Sequence, residues 1–593
     1  MSLIVQKFGG TSVATPEKIT EAARKAIRAQ QQGHQVVLVV SAMGKNTDTL
    51  VDLANAVSTS PAAREMDMLL STGEQVSVAL VAMAIHELGG KATSLTGGQI
   101  GIKTDSSHTK ARIQNISTER MQALLDDGHI VIAAGFQGTD EQGNITTLGR
   151  GGSDTTAVAL AAVLGADECQ IYTDVDGVFT TDPRQVAEAR KMERVSHNEM
   201  LELASLGAGV MHSRSIEFGK KFNVPIHVRN SGSFTDEPGT VIGPESESAD
   251  RPVSGCALTK NEARITLAGV PDQPGTMHQV FAAIGASHVA VDMVVQDVGA
   301  DGRADISFTV LESDLPATLK AVGKVADALN GVEVQCEENL SKVSVVGLGM
   351  ATQTGVADRM FRCLADDGVN IKAITTSQIK ISVLVDRADG QKALRAVHRE
   401  FELDKPPASR SDYSDESSQI EQPSPADIVA RLQRMEDLTI ENISLDQSQG
   451  RVTVTDIPDA PGIAAQIFEA VAAENLLVDM IVQGAGADGV ADISFTVPRD
   501  SVAKAAKVVE EAVANLGCGP VENDPAVAIL SVFGIGIRTH VGVGVRMFAA
   551  LAEAGINVDL INTSEMRVNV VVDSAKGDAG LAALKTAFAD VLG

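Results

Sequence analysis

The sequence predicts a two-part α/β protein: an N-terminal three-layer αβα domain with a mainly parallel sheet, then four small α+β modules with antiparallel sheets. Three observations predict it. Up to about Gly243, continuous apolar strand-like runs alternate with helix-like runs, the pattern of parallel strands covered on both faces. Beyond Val253 the chain repeats itself: "VDMVVQDVGADGRADISFTV" (291–310) returns as "VDMIVQGAGADGVADISFTV" (478–497), and residues 355–386 return as 542–573, both at an offset of 187. Within each copy, two similar pieces run strand, glycine-containing turn, amphipathic helix and two further strands.

Taken in order, Leu3-Ile4-Val5 opens a strand that ends in "KFGGTSV" (7–13), and a helix follows over 17–32. Adjacent glycines leave main-chain N–H groups open beside a helix N-terminus, so this turn can hold a phosphate; it can equally be plain punctuation. Further strands are expected at 36–40, 130–135 and 168–175, and helices at 67–88 and 154–166. Ligands of such sheets bind beyond the carboxyl ends of the strands. The expected boundaries are 1–245 for the first domain and 253–406 for the first repeat, with modules at about 263–338 and 341–406 and an added strand at 253–259. A linker follows at 407–439, then the second repeat at 440–593, with modules at about 450–523 and 526–593 and an added strand at 440–446. "PASRSDYSDESSQIEQPSP" (407–425) reads as flexible, and "ADIVARLQRMED" (426–437) as a short helix.

At 593 residues the chain exceeds the roughly 250–300 at which single cores stop growing. Its formal charge of −28 argues against nucleic acid or an anionic membrane as main partner. Five scattered cysteines without a CxxC suit reduced thiols, and eleven histidines without HExxH spacing suit structural roles, His212 and His227 included. The N-terminus lacks a signal-peptide pattern and no stretch approaches about 18 uninterrupted apolar residues, so a soluble cytoplasmic protein is expected.

Several stretches carry chemistry. "TLGRGGSDTTA" (147–157) sets Arg150 before two glycines and Ser153 at a helix start, which suits a carboxylate or phosphate as well as a capped surface turn. "YTDVDGVFTTDPR" (172–184) is a carboxylate-rich loop after a strand. Glu74 in "STGEQVS" lies in a largely apolar helical stretch, where an acid needs a partner such as a substrate ammonium or an internal arginine.

Together, "KFGGTSV", "SAMGKNTD", "GEQVS", "GFQG", "TLGRGGSD" and "YTDVDGVFTTDPR" resemble the amino-acid kinase family, and within it the aspartate kinases. The repeated tail is similar to ACT domains, of βαββαβ order, which bind free amino acids. The resemblance implies ATP-dependent phosphorylation of the L-aspartate β-carboxylate to 4-phospho-L-aspartate, the first step toward lysine, threonine, methionine and isoleucine. It implies that Lys7 neutralises the transferring phosphoryl group, oriented by Asp154, while Gly9, Gly10 and Ser12 offer N–H groups and a hydroxyl. Arg150 and Ser153 would hold the α-carboxylate, Glu74 the ammonium, and Ser41, Thr47 and Phe136 would complete that pocket. Thr173, Asp174, Phe179 and Arg184 would lie along the nucleotide, with Mg²⁺ bridging its phosphates. A carboxylate acceptor is already ionised, so no general base is required.

The chain departs from the family pattern at "GAGVMHS" (207–213), where Gly209 replaces a nucleotide-contacting lysine and Ser213 a proline, and at Phe179, where some relatives have tyrosine. For the modules, the resemblance implies feedback inhibition by lysine, threonine or both, bound between paired modules of a homodimer. The candidate contacts are Asp272, Pro274, Gly275, Gln296, Thr376 and Ser377 in one copy, and Asp459, Pro461, Gly462, Gln483, Thr563 and Ser564 in the other. In this reading the hydroxyls of 375–378 and 562–565 come from the companion module of each pair. A kinase for glutamate or N-acetylglutamate and a non-catalytic amino-acid sensor are the rival readings. Fusion to a homoserine dehydrogenase is not expected.

Overall fold

The computed structural model describes residues 2–592 apart from 208–209, 233–238, 248–250, 288, 299–301, 330, 408–435, 437, 485–489, 539 and 541. The expected helix at 426–437, nearly all of the 407–439 linker, and Gly209 therefore lie outside the described residues. The chain forms two compact units. The first comprises the described residues of Met1–Phe179, Lys191–Glu247 and Ala408–Asp437; the second comprises those of Thr180–Arg190, Ser248–Pro407 and Leu438–Gly593.

The first unit is built on strands β1 (Leu3–Phe8), β2 (Gln35–Val40), β3 (Ala92–Leu95), β4 (Ile130–Ala134), β5 (Glu168–Thr173), β6 (Arg194–Ser196), β7 (Ile226–Asn230) and β8 (Thr240–Gly243). They make one sheet in the order β6-β8-β7-β5-β1-β2-β4-β3. All neighbours are parallel except β7 and β8. β1 and β4 are buried at every residue, which explains their unbroken apolar reading. Helix α1 (Pro16–Gln31) starts at Thr15, whose hydroxyl accepts the Lys18 N–H, with proline at its first position. Its Ile19, Ala22, Ala23 and Ala26 pack with Val78, Val81 and Ile85 of a later helix, Ala63–Glu87, over the β1/β2/β4 face. That long helix could span a bilayer by length and composition, yet half of its apolar window is buried within the protein. A second, four-stranded sheet lies beside it, formed from Ile102–Thr104, Ile113–Ile116, Gln137–Thr139 and Ile145–Thr147.

In the second unit the first repeat supplies β9 (Gly255–Pro271), β10 (Asp292–Val298), β11 (Arg303–Leu311), β12 (Glu333–Val346), β13 (Ala373–Ser377) and β14 (Lys380–Asp386). The second repeat supplies β15 (Thr439–Asp446), β16 (Gln449–Pro458), β17 (Ile481–Gln483), β18 (Val490–Pro498), β19 (Val521–Asp524), β20 (Val527–Ile535), β21 (Leu560–Thr563) and β22 (Arg567–Asp573). Both sheets are antiparallel. One has ten strands, β10-β11-β9-β12-β14-β13-β17-β18-β16-β19, and the other has four, β15-β20-β22-β21. The antiparallel modules read from the sequence are thus present, but they associate across the repeats. Strand β13 of the second module pairs with β17 of the third through Ile374↔Gln483 and Thr375↔Val482. The helices follow suit: Phe361 meets Phe468 at 5.4 Å between the second and third modules, and Phe281 meets Phe548 at 5.5 Å between the first and fourth. Cores continue across both junctions, one joining modules two and three and the other modules one and four. This corrects the expectation that the companion of each module lies within its own copy; the apolar helix faces are buried against the opposite copy instead.

Candidate active site and module interfaces

The parallel strands β1, β2, β4 and β5 deliver Lys7, Ser41, Phe136 and Thr173 to one edge of the sheet. Lys7, the penultimate residue of β1, is 9% exposed, and its Nζ lies 2.6 Å from Asp154 Oδ1. Asp154 stands in the first turn of the helix Gly152–Leu164, so that helix and β1 present a cation and an anion together. The turn after β1 is a short 3-10 segment, Gly10–Val13, following Gly9. The Gly9 N–H and the Ser12 hydroxyl both donate to the Tyr172 carbonyl at 3.4 Å, tying the turn to the end of β5.

Beside it, Glu74 is 3% exposed on the Ala63–Glu87 helix. One of its oxygens accepts the Ala42 N–H at 3.1 Å, next to half-buried Ser41, while the buried Oε2 has no hydrogen-bond partner. Burial pushes its pKa up to about 7, against the opposing pull of the Ala42 N–H. A buried carboxyl with one oxygen to spare calls for a cation. Thr47 is half-buried in the first turn of the Asn46–Val57 helix.

Gly135, just past β4, shows why a side chain is excluded there: a Cβ would come within 2.7 Å of Ser153 Oγ. Ser153 is thereby pressed against the strand ends, and the next residue, Phe136, donates its N–H to Thr156 Oγ1 at 3.2 Å. Arg150 is exposed in the loop before this helix and has no side-chain hydrogen-bond or ion-pair partner among the described residues. Sequence reasoning missed Asp67, fully buried about two turns before Glu74 on the same helix. It accepts from Thr147 Oγ1 at 2.5 Å, from the Thr109 N–H at 3.0 Å, and faces His108 Nδ1 at 2.7 Å. The signal was the seven-residue spacing from Glu74, which puts both acids on one side of the helix.

Thr173 and Asp174 are neighbours at the end of β5, 3.3 Å apart through Oγ1 and Oδ1. Phe179 is half-buried and forms an antiparallel bridge with Lys191. Arg184 belongs to the other compact unit, where Asp182 engages its Nε and Nη2, each at 3.0 Å. Ser213 opens the Ser213–Phe222 helix.

At the module interfaces, Asp272 accepts from Gln296 Nε2 of its own module at 3.2 Å and from Asn557 Nδ2 of the fourth module at 2.8 Å. Asp459 accepts from Asn370 Nδ2 of the second module at 2.6 Å, and Gln483 lines the same pocket. Asp272 and Asp459, like Asn370 and Asn557, are repeat equivalents, so the two arrangements are related by the duplication. Both asparagines were missed, although "DGVNI" and "AGINV" hold them in register. Gly275 and Gly462 precede their helices with φ of 98° and 94°, a backbone region where glycine is favoured, after Pro274 and Pro461. Buried Gln296 and Gln483 each keep an unpartnered side-chain oxygen.

Thr376 and Ser377 are not grouped with Asp272 and Gln296 of their own copy, contrary to the grouping the sequence suggests. They line a separate pocket between modules two and three, where the Ile481 N–H donates to Thr376 Oγ1 at 2.8 Å. Thr563 and Ser564 likewise line a pocket between modules one and four, together with Asp292 and Arg538. Burial resists ionisation of Asp292, but Lys342, Lys380 and Arg538 hold its carboxyl well below the usual range. Lys342 Nζ lies 2.6 Å from Asp292 and 3.0 Å from Glu262, all three nearly withdrawn from solvent.

Comparison with known proteins agrees with this architecture. The model of the amino acid kinase family matches residues 2–230, and the ACT domain model matches 343–401, 453–513 and 530–588. The chain is 50% identical over 408 residues to an aspartate kinase of Stutzerimonas stutzeri, covering 68% of this chain and 98% of that relative. It is 50% identical over 410 residues to aspartokinase 2 of Bacillus subtilis, covering 69% and 100%. Among solved structures, aspartate kinase from Synechocystis is 38% identical with a TM-score of 0.52, over 99% of this chain and 98% of that one. With whole relatives matched at half identity and a solved structure matched end to end, the chain belongs to the aspartate kinase family.

Proposed function

We propose that this chain transfers the terminal phosphoryl group of ATP to the β-carboxylate of L-aspartate, and that lysine, threonine or both inhibit it from the module interfaces. One observation carries the catalytic reading: the Lys7–Asp154 ion pair at the end of β1 lies beside a half-partnered, buried Glu74 carboxyl that accepts the Ala42 N–H just past the end of the neighbouring strand β2. Phosphoryl transfer to an ionised acceptor needs alignment and charge stabilisation, and no base. Lys7 meets the charge of the transferring group, held on line by Asp154. Glu74 takes the substrate ammonium, Arg150 and Ser153 its α-carboxylate, and Ser41, Thr47 and Phe136 close the pocket. Gly9, Gly10 and Ser12 face the phosphates, and Thr173, Asp174 and Phe179 the rest of the nucleotide.

Among the described residues no group of three or more His, Cys, Asp or Glu side chains is placed to hold a metal ion. In this reading Mg²⁺ comes with the nucleotide and would neutralise phosphate charge. The chain acts in the cytoplasm as a homodimer, in keeping with five free cysteines. As effector sites we propose the duplicated pockets around Asp272, Gln296 and Asn557 and around Asp459, Gln483 and Asn370, with the two pockets carrying Thr376–Ser377 and Thr563–Ser564 as further sites.

The test is ATP turnover with aspartate, glutamate or N-acetylglutamate as acceptor, with and without lysine and threonine. Aspartate alone should support turnover, and Lys7→Ala should abolish it in a folded protein. Equal turnover of glutamate, or an active Lys7→Ala variant, would overturn the assignment.

A further inference from the structure

Glu436 lies at the end of the segment between the repeats, three residues ahead of Thr439, where β15 begins. A carboxylate in such a polar stretch would ordinarily be solvated, yet its side chain is only 8% exposed. Both oxygens are used. Oε1 accepts the Ile113 N–H at 3.1 Å, and Oε2 accepts Arg214 Nη2 at 2.5 Å and Nε at 3.1 Å. Burying this acid is tolerable only because the guanidinium and the N–H satisfy it.

Arg214 is itself mostly buried, and its other donors go to two main-chain carbonyls. Nη2 reaches the Ala111 oxygen at 3.1 Å, and Nη1 donates to the Leu148 oxygen. The Ala111 N–H donates in turn to the Thr147 oxygen at 2.9 Å, so Arg214 clamps two adjoining chain segments. Leu148 is two residues before Arg150. From the opposite side Asp67 grips Thr147, so the base of the Arg150 loop is held between a buried acid and a buried arginine. A guanidinium is a rigid planar fork, and an anion on one edge fixes the direction of the donors on the other.

We propose that Glu436 is a positioning residue for the aspartate-binding loop: by pinning Arg214 it fixes the Leu148 carbonyl and, with it, the placement of Arg150. This rests on the reading that Arg150 grips the substrate carboxylate. The acid that sets the loop is thus part of the chain segment that leads into the second regulatory repeat.

The experiment uses the full chain. Glu436→Gln keeps the size and one acceptor but removes the charge; the apparent KM for aspartate should rise about tenfold while kcat and the KM for ATP hold in a protein that remains folded at the assay temperature. In an Arg214→Met background, Glu436→Gln should add nothing further, since both act through one contact. An unchanged aspartate KM, additive effects in the double variant, or a joint loss of kcat and ATP affinity would overturn the proposal. Arg150→Ala separates the two claims. If it leaves aspartate KM unchanged, the reading of the loop is wrong; if it raises aspartate KM while Glu436→Gln does not, only the role of Glu436 is wrong.

Discussion

Burial that lifts Glu74 to about 7 makes its charge titrate where aspartate keeps its ammonium. If Glu74 takes the substrate ammonium as proposed, then below that pH the carboxyl is neutral and the ammonium loses its counter-charge, and above it the pair forms. Aspartate affinity should therefore improve as pH rises between about 6 and 8 and level off beyond, with at most about a tenfold gain per unit on the acid side. Glu74→Gln should flatten the profile at the weak limit; a profile unchanged by that substitution would show that another group titrates. Arg150→Ala should chiefly raise the aspartate KM, read from initial rates at saturating ATP. At this scale, the lysine, the carboxylates and the glycine turns were legible because each is an unusual residue type in its local pattern. Asp67, Asn370, Asn557 and Glu436 were harder to read, because their partners stand 41 to 323 residues away in sequence.

Among elements, the parallel strands were readable because burial on both faces writes an unbroken apolar run, as in β2, where five of six residues are buried. Helix starts were readable where a hydroxyl and a proline mark them, as at Thr15-Pro16. The edges of the modules were not. An edge strand such as β13 has the same alternation whichever neighbour it meets, so its pairing with β17 leaves no local mark. The ionic cluster of Lys342, Asp292 and Glu262 bridges β12, β10 and β9. Lys342→Met removes the cation shared by buried Glu262 and Asp292 and leaves Asp292 with Lys380 and Arg538 alone, so it should destabilise the regulatory unit by about 3 kcal/mol in denaturant titrations. A loss under about 1 kcal/mol would mean that the acids find another partner or take up protons. Asp292, held low by its cations, adds stability that is present above the ordinary carboxylate pKa and lost only as pH falls through its own, so neutral buffers suit this measurement.

For the molecule as a whole, the duplication itself was plain in the sequence, while the partner of each module was not. Repeat equivalence gives two matched Asp–Asn arrangements, Asp272 with Asn557 and Asp459 with Asn370. If both are effector sites, Asp272→Ala and Asp459→Ala should each blunt inhibition by lysine or threonine and leave uninhibited turnover intact. Full sensitivity in both single variants and in the double variant would remove these acids from the effector sites. The ligands that each site prefers should differ, because Thr455-Asp456 stands where the other copy has Ala268-Gly269.

The crossed association of modules one with four and two with three has a consequence for how the protein behaves on dilution. Partner surfaces on separate chains drift apart as the solution thins, and a response built on them fades. Here both halves of each interface are covalently tethered, and a tether of this kind keeps them at a local concentration on the order of millimolar. Half-maximal inhibition should hold steady from micromolar stocks to nanomolar assays, as far as it depends on these surfaces alone.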